Sequence, residues 1–420
     1  MKISHRGKDR ELVTVGPSLV YDFRSIRDAL DSIVDAAADN PYTIAVSGIH
    51  RAGEGSIPSG PIYWDKSFVS LVGEPGAMIE RDEADGHATA TGGTIQIANE
   101  DGETLVEQVS FSNIRIRRSA SGAAAGAGGG APEAALFIGK ENVHPDERNW
   151  DFVEVDGCLI EGIHDGIQWF GTNYMNLDRP PRLRVTNNTI ICAHDASTSK
   201  GQAETYHAHN RIYCDSAGFD WYPNPNDWKT TGFHYGMERG GGVGTEVTAH
   251  PDTRLVMHGD QIHVVANTNI ASEIAGILFY DPDIDVGVSV RRLRVSISNV
   301  QIYVNHVADA AGTCGGIVLL GHDTAEWEVG TSDFDVHDVS IRVHTAVSSQ
   351  VAAGVWLEGA NTATTREIFV SGQAHVTAPS GTAYSMRAVT SGDTINHRML
   401  SDQATSVGAG AAVTQQALVA

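Results

Sequence analysis

The sequence predicts an all-β solenoid, a three-faced parallel β-helix built from stacked coils. One short apolar phrase, Gly followed by Ile or Val, returns at Gly276, Gly316 and Gly354, which lie 40 and 38 residues apart. An earlier relative of this phrase occupies residues 165–171. A fixed period with one short apolar strand in each unit is typical of stacked repeats.

A second phrase runs out of phase with the first and predicts two further strands in each coil. It places Asn, Asp or Gly inside a short β-branched run, at residues 111–116, 155–160, 185–190, 295–300 and 336–341. These three residue types enter the left-handed backbone region at low cost, so each run predicts a strand, a tight bend and a strand. We expect a structural role for the Asn residues of such ladders, namely Asn113, Asn188, Asn267 and Asn299.

Length and the amino-terminal segment favour one elongated domain. A chain of 420 residues is long enough for two or three domains, but no Pro-rich or Ser-rich linker separates the repeats. Residues 21–37 carry apolar residues at helical spacing, with Asp22 or Ser25 as the cap, and this helix would cover the open end of the solenoid. The expected organisation is an arm that attaches to a virion at 1–20, a β-helix at 21–395 and a tail at 396–420.

The order of these features resembles the pectin-lyase-like superfamily and, within it, viral tail spikes and related virion appendages. The resemblance is carried by the capping helix at 25–30, the strand ending at Gly48, the strand closing at 71–73 and the Asn-bearing coils. It covers most of residues 20–380. It implies a right-handed parallel β-helix, commonly a homotrimer, often engaged with polysaccharide. The Asp-rich calcium cluster and catalytic Arg context of a pectate lyase are not found, so that activity is not implied.

The composition is strongly acidic. There are 52 Asp and Glu against 29 Lys and Arg, only six of them Lys, and the formal net charge is −23. Such a surface stays hydrated where salt screens its self-repulsion, which favours a salt-adapted source, a haloarchaeon or its tailed virus. An Arg bias from a GC-rich genome is the alternative. Nucleic-acid binding is disfavoured because no basic patch offsets the acidic field.

No targeting or membrane signal is found in the sequence. Residues 1–8 are not followed by the apolar core of a signal peptide, and no run is long and apolar enough to cross a membrane. This combination fits a virion-surface protein assembled in the host cytoplasm, and it also fits a cytoplasmic enzyme. The four cysteines form no metal-binding pair and are expected to be buried thiols: Cys158, Cys192, Cys214 and Cys314.

The segment from about 193 to 259 breaks the coil pattern and is expected to form a lobe on the flank of the solenoid. Aromatic faces pack against the C–H faces of sugar rings, while carboxylates and amides hold the hydroxyls. The predicted ligand-binding residues are Trp221, Tyr222, Trp228, Asp220, Asn224, Asn226 and Asp227, with Trp169 outside the segment. A small satellite core under the loop is the alternative for these aromatic residues.

Two groups of residues are considered as candidate metal ligands. His207, His209 and His234, with Asp215 or Glu238, offer zinc-type ligands, but the recognised spacing is absent and no metal site is predicted. The acidic turn at 281–285 is a candidate for a structural calcium or other cation, and a solvated loop is the alternative. No other cofactor is expected.

The candidate catalytic residues, if the protein is an enzyme, are Glu161 and Asp165. Glycoside hydrolysis needs two carboxylates a few ångströms apart, and stacked coils can bring two such side chains together. Asp165 is also close in sequence to Trp169, which makes it the first residue to test. Two neighbouring carboxylates are, however, expected by chance in so acidic a chain.

The sequence favours a virion spike, fibre or capsid-surface protein that recognises a host cell-surface glycan or glycoprotein. Its further expected partners are other virion proteins and two copies of itself. The competing class is a polysaccharide lyase or glycoside hydrolase on the same fold. A purely structural virion component is the third alternative.

Overall fold

The computed structural model describes most of the chain as one continuous series of coils. The described residues are 2–5, 8–51, 61–82, 93–98, 104–119, 134–139, 150–170, 180–200, 203–217, 229–236, 253–266, 273–281, 293–307, 313–321, 334–347, 350–358, 366–379, 382–401 and 404–416. Within them lie one helix, α1 (Ile26–Ser32), and 33 strands.

The strands follow one another at short intervals. The first eleven are β1 (Lys2–His5), β2 (Lys8–Val15), β3 (Tyr42–Val46), β4 (Ile49–Arg51), β5 (Ile62–Tyr63), β6 (Val69–Gly73), β7 (Met78–Asp82), β8 (Ile95–Ile97), β9 (Val109–Ser112), β10 (Arg115–Ser119) and β11 (Leu136–Ile138). The next eleven are β12 (Phe152–Asp156), β13 (Leu159–Glu161), β14 (Ile167–Phe170), β15 (Arg182–Thr186), β16 (Thr189–Cys192), β17 (Asp195–Lys200), β18 (Glu204–Ala208), β19 (Arg211–Asp215), β20 (Lys229–Gly236), β21 (Thr253–His258) and β22 (Gln261–Ala266). The last are β23 (Glu273–Asp281), β24 (Leu293–Ser298), β25 (Gln301–His306), β26 (Thr313–Gly321), β27 (Phe334–Thr345), β28 (Ala352–Glu358), β29 (Arg366–Thr377), β30 (Ala383–Ala388), β31 (Asp393–Leu400), β32 (Thr405–Val407) and β33 (Ala412–Gln415).

Successive coils pair strand by strand in parallel. Strands β12, β13 and β14 form one coil, and they pair in register with β15, β16 and β17 of the next. The ladders make a 22-stranded sheet, which combines the first and second strands of each coil, and an 11-stranded sheet of third strands. The fold is therefore the expected parallel β-helix. Its right-handedness and its three-faced cross-section stay predictions.

The repeated Gly of the first phrase marks a place where neighbouring coils touch. A Cβ atom on Gly276 would lie 2.2 Å from Cγ2 of Ile302 and 2.8 Å from the carbonyl oxygen of Gly316. A Cβ atom on Gly316 would lie 2.3 Å from Cγ2 of Ile341 and 2.6 Å from the carbonyl oxygen of Gly354. The phrase recurs because each coil packs its backbone against the same position of the next.

The polar residues of the second phrase form the bend between the first and second strands. Positive φ values occur there at Asn113, Gly157, Asn187, His209, Gly259, Asn299 and Asp338. The following side chain points inward, and three of these form a buried ladder: Asn188, Asn210 and Asp260. Asn113, Asn188 and Asn299 thus have the structural role expected of them, and Asn267 lies outside the described residues.

The ladder ends in a buried carboxyl group. Oδ1 of Asn210 accepts the backbone N–H of Asn188 at 3.0 Å, and Oδ1 of Asp260 accepts that of Asn210 at 2.7 Å. Among the described residues, none forms a hydrogen bond to Oδ2 of Asp260. Burial raises the pKa of Asp260 to about 7, and its hydrogen bonds to Asn210 only partly oppose that rise.

Helix α1 covers the first coils as expected, although it is shorter than predicted. Ser25 is the cap, and its side chain accepts the backbone N–H of Asp28. Asp22, the other candidate cap, instead accepts hydrogen bonds from Thr14. The helix contacts β2 and β3 and buries Ile26, Ala29 and Leu30. Among the described residues, no helix is long and apolar enough to span a membrane.

The expected boundaries of the β-helix are too narrow. Strand β2, inside the predicted arm at 1–20, pairs in parallel with β3. Strands β31 and β33, which reach into the predicted tail, extend the large sheet. Polar residues in these terminal strands, such as those of β2 and β31, hide the apolar alternation that marks the coils.

The expected lobe at 193–259 is also wrong for its described part. Strands β17 to β20 continue the same ladders through this segment. Their inward positions include polar residues such as Thr205 and His207, which mask the apolar period of the strands. The four cysteines are buried free thiols, as predicted.

Candidate functional site

The second strands of the coils carry a continuous row of outward side chains. Parallel register aligns Ile191 with Tyr213, Tyr213 with His263, His263 with Tyr303, and Tyr303 with Arg342. Neighbouring strands in a sheet are about 4.7–4.9 Å apart, so the row repeats at that interval along the solenoid. A second row, two residues earlier in each strand, contains Arg211, Gln261 and Gln301.

These two rows line a groove on the outer surface of the sheet. Its volume is about 530 Å³, within the range of small-molecule sites. A second depression of about 500 Å³ adjoins it and shares Ser340 and Arg342. The lining residues of the first are Thr189, Ile191, Arg211, Ile212, Tyr213, Gln261, Ile262, His263, Gln301, Ile302, Tyr303, Ser340 and Arg342.

Three rings line the groove in a row. The His263 ring lies edge-on to Tyr213, with centroids 5.1 Å apart, and edge-on to Tyr303, with centroids 4.6 Å apart. Burial lowers the pKa of His263, and the nearby Asp215 only partly opposes this. Burial together with Asp215 raises the pKa of Tyr213, whose hydroxyl donates to that carboxylate at 3.3 Å. At neutral pH the groove therefore presents an uncharged imidazole beside a protonated phenol.

The charge of the groove is opposite to that of the chain. Its described lining contains Arg211 and Arg342 and no Asp or Glu. The whole sequence carries 52 acidic residues and a formal net charge of −23. The groove lining is thus a basic strip on an acidic protein, with the carboxylate of Asp215 beside it at Tyr213.

Glu161, a predicted catalytic carboxylate, lies at the end of the row and is held by two arginines. Its oxygens accept hydrogen bonds from Arg115 at 2.6 and 2.8 Å and from Arg117 at 2.8 and 3.1 Å. Burial raises the pKa of Glu161, and Arg117 acts against that rise. These bidentate ion pairs fix the carboxylate in place.

Asp165, the other predicted carboxylate, lies at the corner that follows β13 and contacts histidines. Its Oδ1 is 3.1 Å from Nδ1 of His164 and 3.0 Å from Nδ1 of His194. Burial would raise the pKa of Asp165, but the two imidazoles outweigh it and lower the pKa to about 2. Glu161 and Asp165 thus have different hydrogen-bond partners, arginines for Glu161 and histidines for Asp165.

The same corner continues into the next two coils. Asp195 Oδ2 is 3.4 Å from Nδ1 of His194 and 3.1 Å from Nδ1 of His234. Thr231 donates a hydrogen bond to Oδ1 of Asp195. We call His164, Asp165, His194, Asp195 and His234 the corner cluster. The donor atoms of His164, Asp165 and His194 lie within 4.8 Å of one another, so these residues are able to hold a metal ion.

Trp169 is not a sugar-binding platform. Its side chain is fully buried inside the solenoid, where its ring centroid lies 6.1 Å from that of Phe233. The phrase that contains Trp169 forms β14, whose alternating side chains place this ring inward. Trp169 therefore contributes to the core.

The histidines considered for a metal site are not brought together as a group. His207 is buried edge-on to Phe233, and burial lowers its pKa to about 3. His209 lies at a bend, with a φ of 58°. His234 belongs to the corner cluster, Asp215 contacts Tyr213, and Glu238 lies outside the described residues.

The predicted ligand-binding residues of the aromatic segment all lie outside the described residues. They are Trp221, Tyr222, Trp228, Asp220, Asn224, Asn226 and Asp227. Residues 282–285 of the predicted cation-binding turn also lie outside. Both predictions stay predictions.

The groove itself was not found by sequence reasoning, although the sequence contains a signal. Four short runs share an apolar, outward, apolar pattern: 211–214, 261–264, 301–304 and 340–343. Their outward positions hold Tyr213, His263, Tyr303 and Arg342. Alignment of the runs by their repeat spacing would have placed these residues in one row.

Comparison with known proteins finds similarity in structure alone. No protein-family model matches the chain, and no curated protein matches it. Among solved structures it is similar to the A-module of mannuronan C-5 epimerase AlgE6 from Azotobacter vinelandii, with 13% identity, a TM-score of 0.45 and 94% of each chain covered. It is also similar to pectin methylesterase PemA from Erwinia chrysanthemi, with 13% identity, a TM-score of 0.40, and 69% of this chain and 78% of that chain covered. Both are parallel β-helix proteins.

Proposed function

We propose that the outer groove binds an extended, negatively charged polysaccharide of the uronate type. The observation that carries this proposal is the charge of the lining, which has two arginines and no carboxylate among its described residues in a chain of net charge −23. Arginine binds carboxylates through two parallel hydrogen bonds. An anionic chain would be repelled by most of this protein and attracted to this strip.

The other lining residues support a sugar ligand. Tyr213, His263 and Tyr303 offer ring surfaces for the C–H faces of pyranoses, and Gln261 and Gln301 offer amides for hydroxyl groups. The rows repeat once per coil, so a polymer with a regular repeat meets similar groups at successive positions. The adjoining depression extends the path for such a chain beyond Arg342.

The chemistry that the groove supports best is β-elimination. An arginine that neutralises the uronate carboxylate acidifies the proton at C5, and the uncharged His263 is able to accept that proton. The bond from C4 to its glycosidic oxygen then breaks, the leaving oxygen takes a proton from water, and a C4–C5 double bond forms. Hydrolysis is less favoured because it needs two carboxylates, which the described lining lacks.

The test compares one polymer in two charge states. Purified protein is incubated with polygalacturonate and with its fully methyl-esterified form, and both binding and the ultraviolet absorbance of an unsaturated product are measured. We expect binding and product with the charged polymer only. The variant His263→Gln should retain binding and lose product, whereas His344→Gln, on the exposed side of β27, should retain both. Equal affinity for both polymers, or no binding to either, would contradict the proposal.

A second proposal is that the chain is a virion appendage of a salt-adapted host, a homotrimer that attaches to a cell-surface glycan or glycoprotein. It is supported by the acidic, Arg-rich composition and by the lack of paired carboxylates in the described groove lining. Binding of host envelope polysaccharide without any product would favour it. So would loss of cell attachment in a folded Trp221→Ala/Trp228→Ala variant. Light scattering in high salt that shows a monomer would count against the trimer.

A further inference from the structure

The corner cluster has the geometry of a metal-binding site. Oδ1 of Asp165 lies 3.1 Å from Nδ1 of His164 and 3.0 Å from Nδ1 of His194, and the two imidazole rings stack with centroids 3.9 Å apart. Ligand atoms at about 2.0–2.1 Å from a tetrahedral zinc ion lie roughly 3.3–3.4 Å from one another. Each ring nitrogen therefore needs to move only a few tenths of an ångström from the carboxylate oxygen, and the three ligand atoms already lie within 4.8 Å of one another.

The surroundings of these three residues supply charge and support. Oδ2 of Asp195 lies 3.4 Å from Nδ1 of His194, the separation expected between two ligand atoms of one tetrahedral ion, so it is placed to act as a fourth ligand. Asp195 is in turn held by His234 and Thr231. The two carboxylates together match the charge of a divalent cation.

The proposed metal ligands and Asp195 are buried, except for His164, which is partly exposed. The side chains of Asp165, His194 and Asp195 are 4%, 7% and 2% exposed, whereas that of His164 is 26% exposed. Water is thus largely excluded from the carboxylates, which strengthens their attraction for a cation. The exposed edge of His164 gives an ion a route of entry.

We propose that His164, Asp165 and His194 bind one divalent transition-metal ion, of the class that includes Zn²⁺ and Co²⁺, with Asp195 as the fourth ligand. Two imidazoles and one carboxylate are a donor set that such ions prefer, whereas Ca²⁺ and Mg²⁺ take oxygen ligands. The site is separate from the outer groove, whose lining includes none of these residues.

The test uses Co²⁺ as the probe and contains no polysaccharide. Chelator-treated protein without an affinity tag is titrated with Co²⁺, and the visible d–d absorbance is recorded. We expect saturation at one Co²⁺ per chain, reversal by added Zn²⁺, and a rise in melting temperature with Zn²⁺. His164→Gln and Asp165→Asn should weaken Co²⁺ binding by at least about tenfold.

His344→Gln is the matched control, because this exposed histidine on β27 also forms a hydrogen bond, to Thr377 at 2.7 Å. It should bind Co²⁺ as the wild type does. Melting temperatures measured without metal identify any variant that fails to fold, and His164→Gln is chosen because its side chain is the most exposed of the three ligands. The proposal is overturned if the wild type shows no saturable absorbance, or if folded His164→Gln binds Co²⁺ as tightly as the wild type. Either result leaves the glycan proposal untouched.

Discussion

At the scale of single residues, one buried carboxyl group makes the β-helix sensitive to pH. Asp260 ends the ladder that starts at Asn188, and it is fully buried. An amide at this position would accept the same hydrogen bonds from Asn210 without carrying a charge. Burial of the charged form of Asp260 therefore destabilises the folded state, whereas the two other ladder residues, Asn188 and Asn210, carry no charge.

Replacement of Asp260 by Asn should therefore flatten the pH dependence of stability. The pKa of Asp260 is about 7 in the folded protein and about 3.8 in the unfolded chain. The folded state binds the proton more tightly, so this group lowers the free energy of unfolding as pH rises from about 4 to about 7, and the loss stays in full above 7. The melting temperature of Asp260→Asn should exceed that of the wild type at pH 8, and the difference should shrink towards pH 4.

The control for this experiment is Asp338→Asn, at a bend where the aspartate is exposed. It should follow the wild-type pH profile. A wild-type melting temperature that is constant between pH 5 and 8, or a loss of stability in Asp260→Asn at pH 8, would show that the ladder does not carry a buried charge.

Some residues of the fold and the candidate site were predictable from the sequence, and others were not, for a physical reason. The structural asparagines were predictable because a left-handed bend selects few residue types. Asp165 is a candidate from its chemistry, but one of its partners, His194, comes from the next coil, so no single coil contains both His164 and His194. Trp169 was misassigned because a lone aromatic residue does not indicate whether its strand turns it inward or outward.

At the scale of the strand and the coil, the repeated glycines set how closely the coils stack. The column through Gly232, Gly276, Gly316 and Gly354 places each glycine against a carbonyl oxygen of the next coil. These contacts involve backbone, which has no rotamer to change. The first phrase of the sequence is therefore a packing requirement at these four coils.

The substitution Gly276→Ala should lower the melting temperature by many degrees. Its Cβ would lie 2.2 Å from Ile302 and 2.8 Å from the carbonyl oxygen of Gly316, so the two coils must move apart. Overpacking in a core costs about 1–3 kcal/mol, and more where backbone has to shift. Thermal unfolding by circular dichroism measures the change.

Gly76→Ala separates this steric clash from backbone strain. Its Cβ would meet nothing within 4 Å, but its φ of +84° is unfavourable for alanine. We expect it to destabilise by roughly 1–2 kcal/mol. A Gly276→Ala variant that melts at the wild-type temperature would mean that the coils do not need the close approach at Gly276.

Secondary-structure elements were predictable where the spacing of apolar residues and the residue types at the bends indicated the same element. Helix α1, the Gly phrase and the bent strand pairs all follow from local sequence. The lobe expected at 193–259 is wrong for the described part of that segment, because its strands place polar groups inside, where Thr205 and His207 replace the usual apolar residues. The outer groove depends on register between coils up to 50 residues apart, such as Tyr213 with His263, which a linear reading does not show.

At the scale of the whole molecule, charge is the dominant property. The chain carries 52 acidic and 29 basic residues on a stack of coils. Salt screens repulsion between exposed charges over about 8–10 Å at moderate ionic strength and over a shorter distance at molar salt. The groove keeps its arginines within this acidic field, which focuses an anionic ligand on one strip.

Stability should therefore fall as salt is removed. We expect the melting temperature to decrease steadily from molar to millimolar NaCl, because repulsion between acidic side chains acts over a longer distance. The same scan in KCl distinguishes general screening from binding of a particular ion. A melting temperature that does not change with salt would remove the argument for a salt-adapted source.

The central claim is that the basic groove binds an anionic polysaccharide, and the most direct measurement is the dissociation constant for polygalacturonate of an Arg211→Gln/Arg342→Gln variant. Each arginine contributes a charge-assisted hydrogen bond of about 1.5–3 kcal/mol, and about 1.4 kcal/mol corresponds to a tenfold change in affinity. We expect the double variant to bind at least about tenfold more weakly, while Arg254→Gln, an exposed change on β21 outside the groove, binds as the wild type does. Unchanged affinity in the double variant, or an equal loss in Arg254→Gln, would contradict the claim.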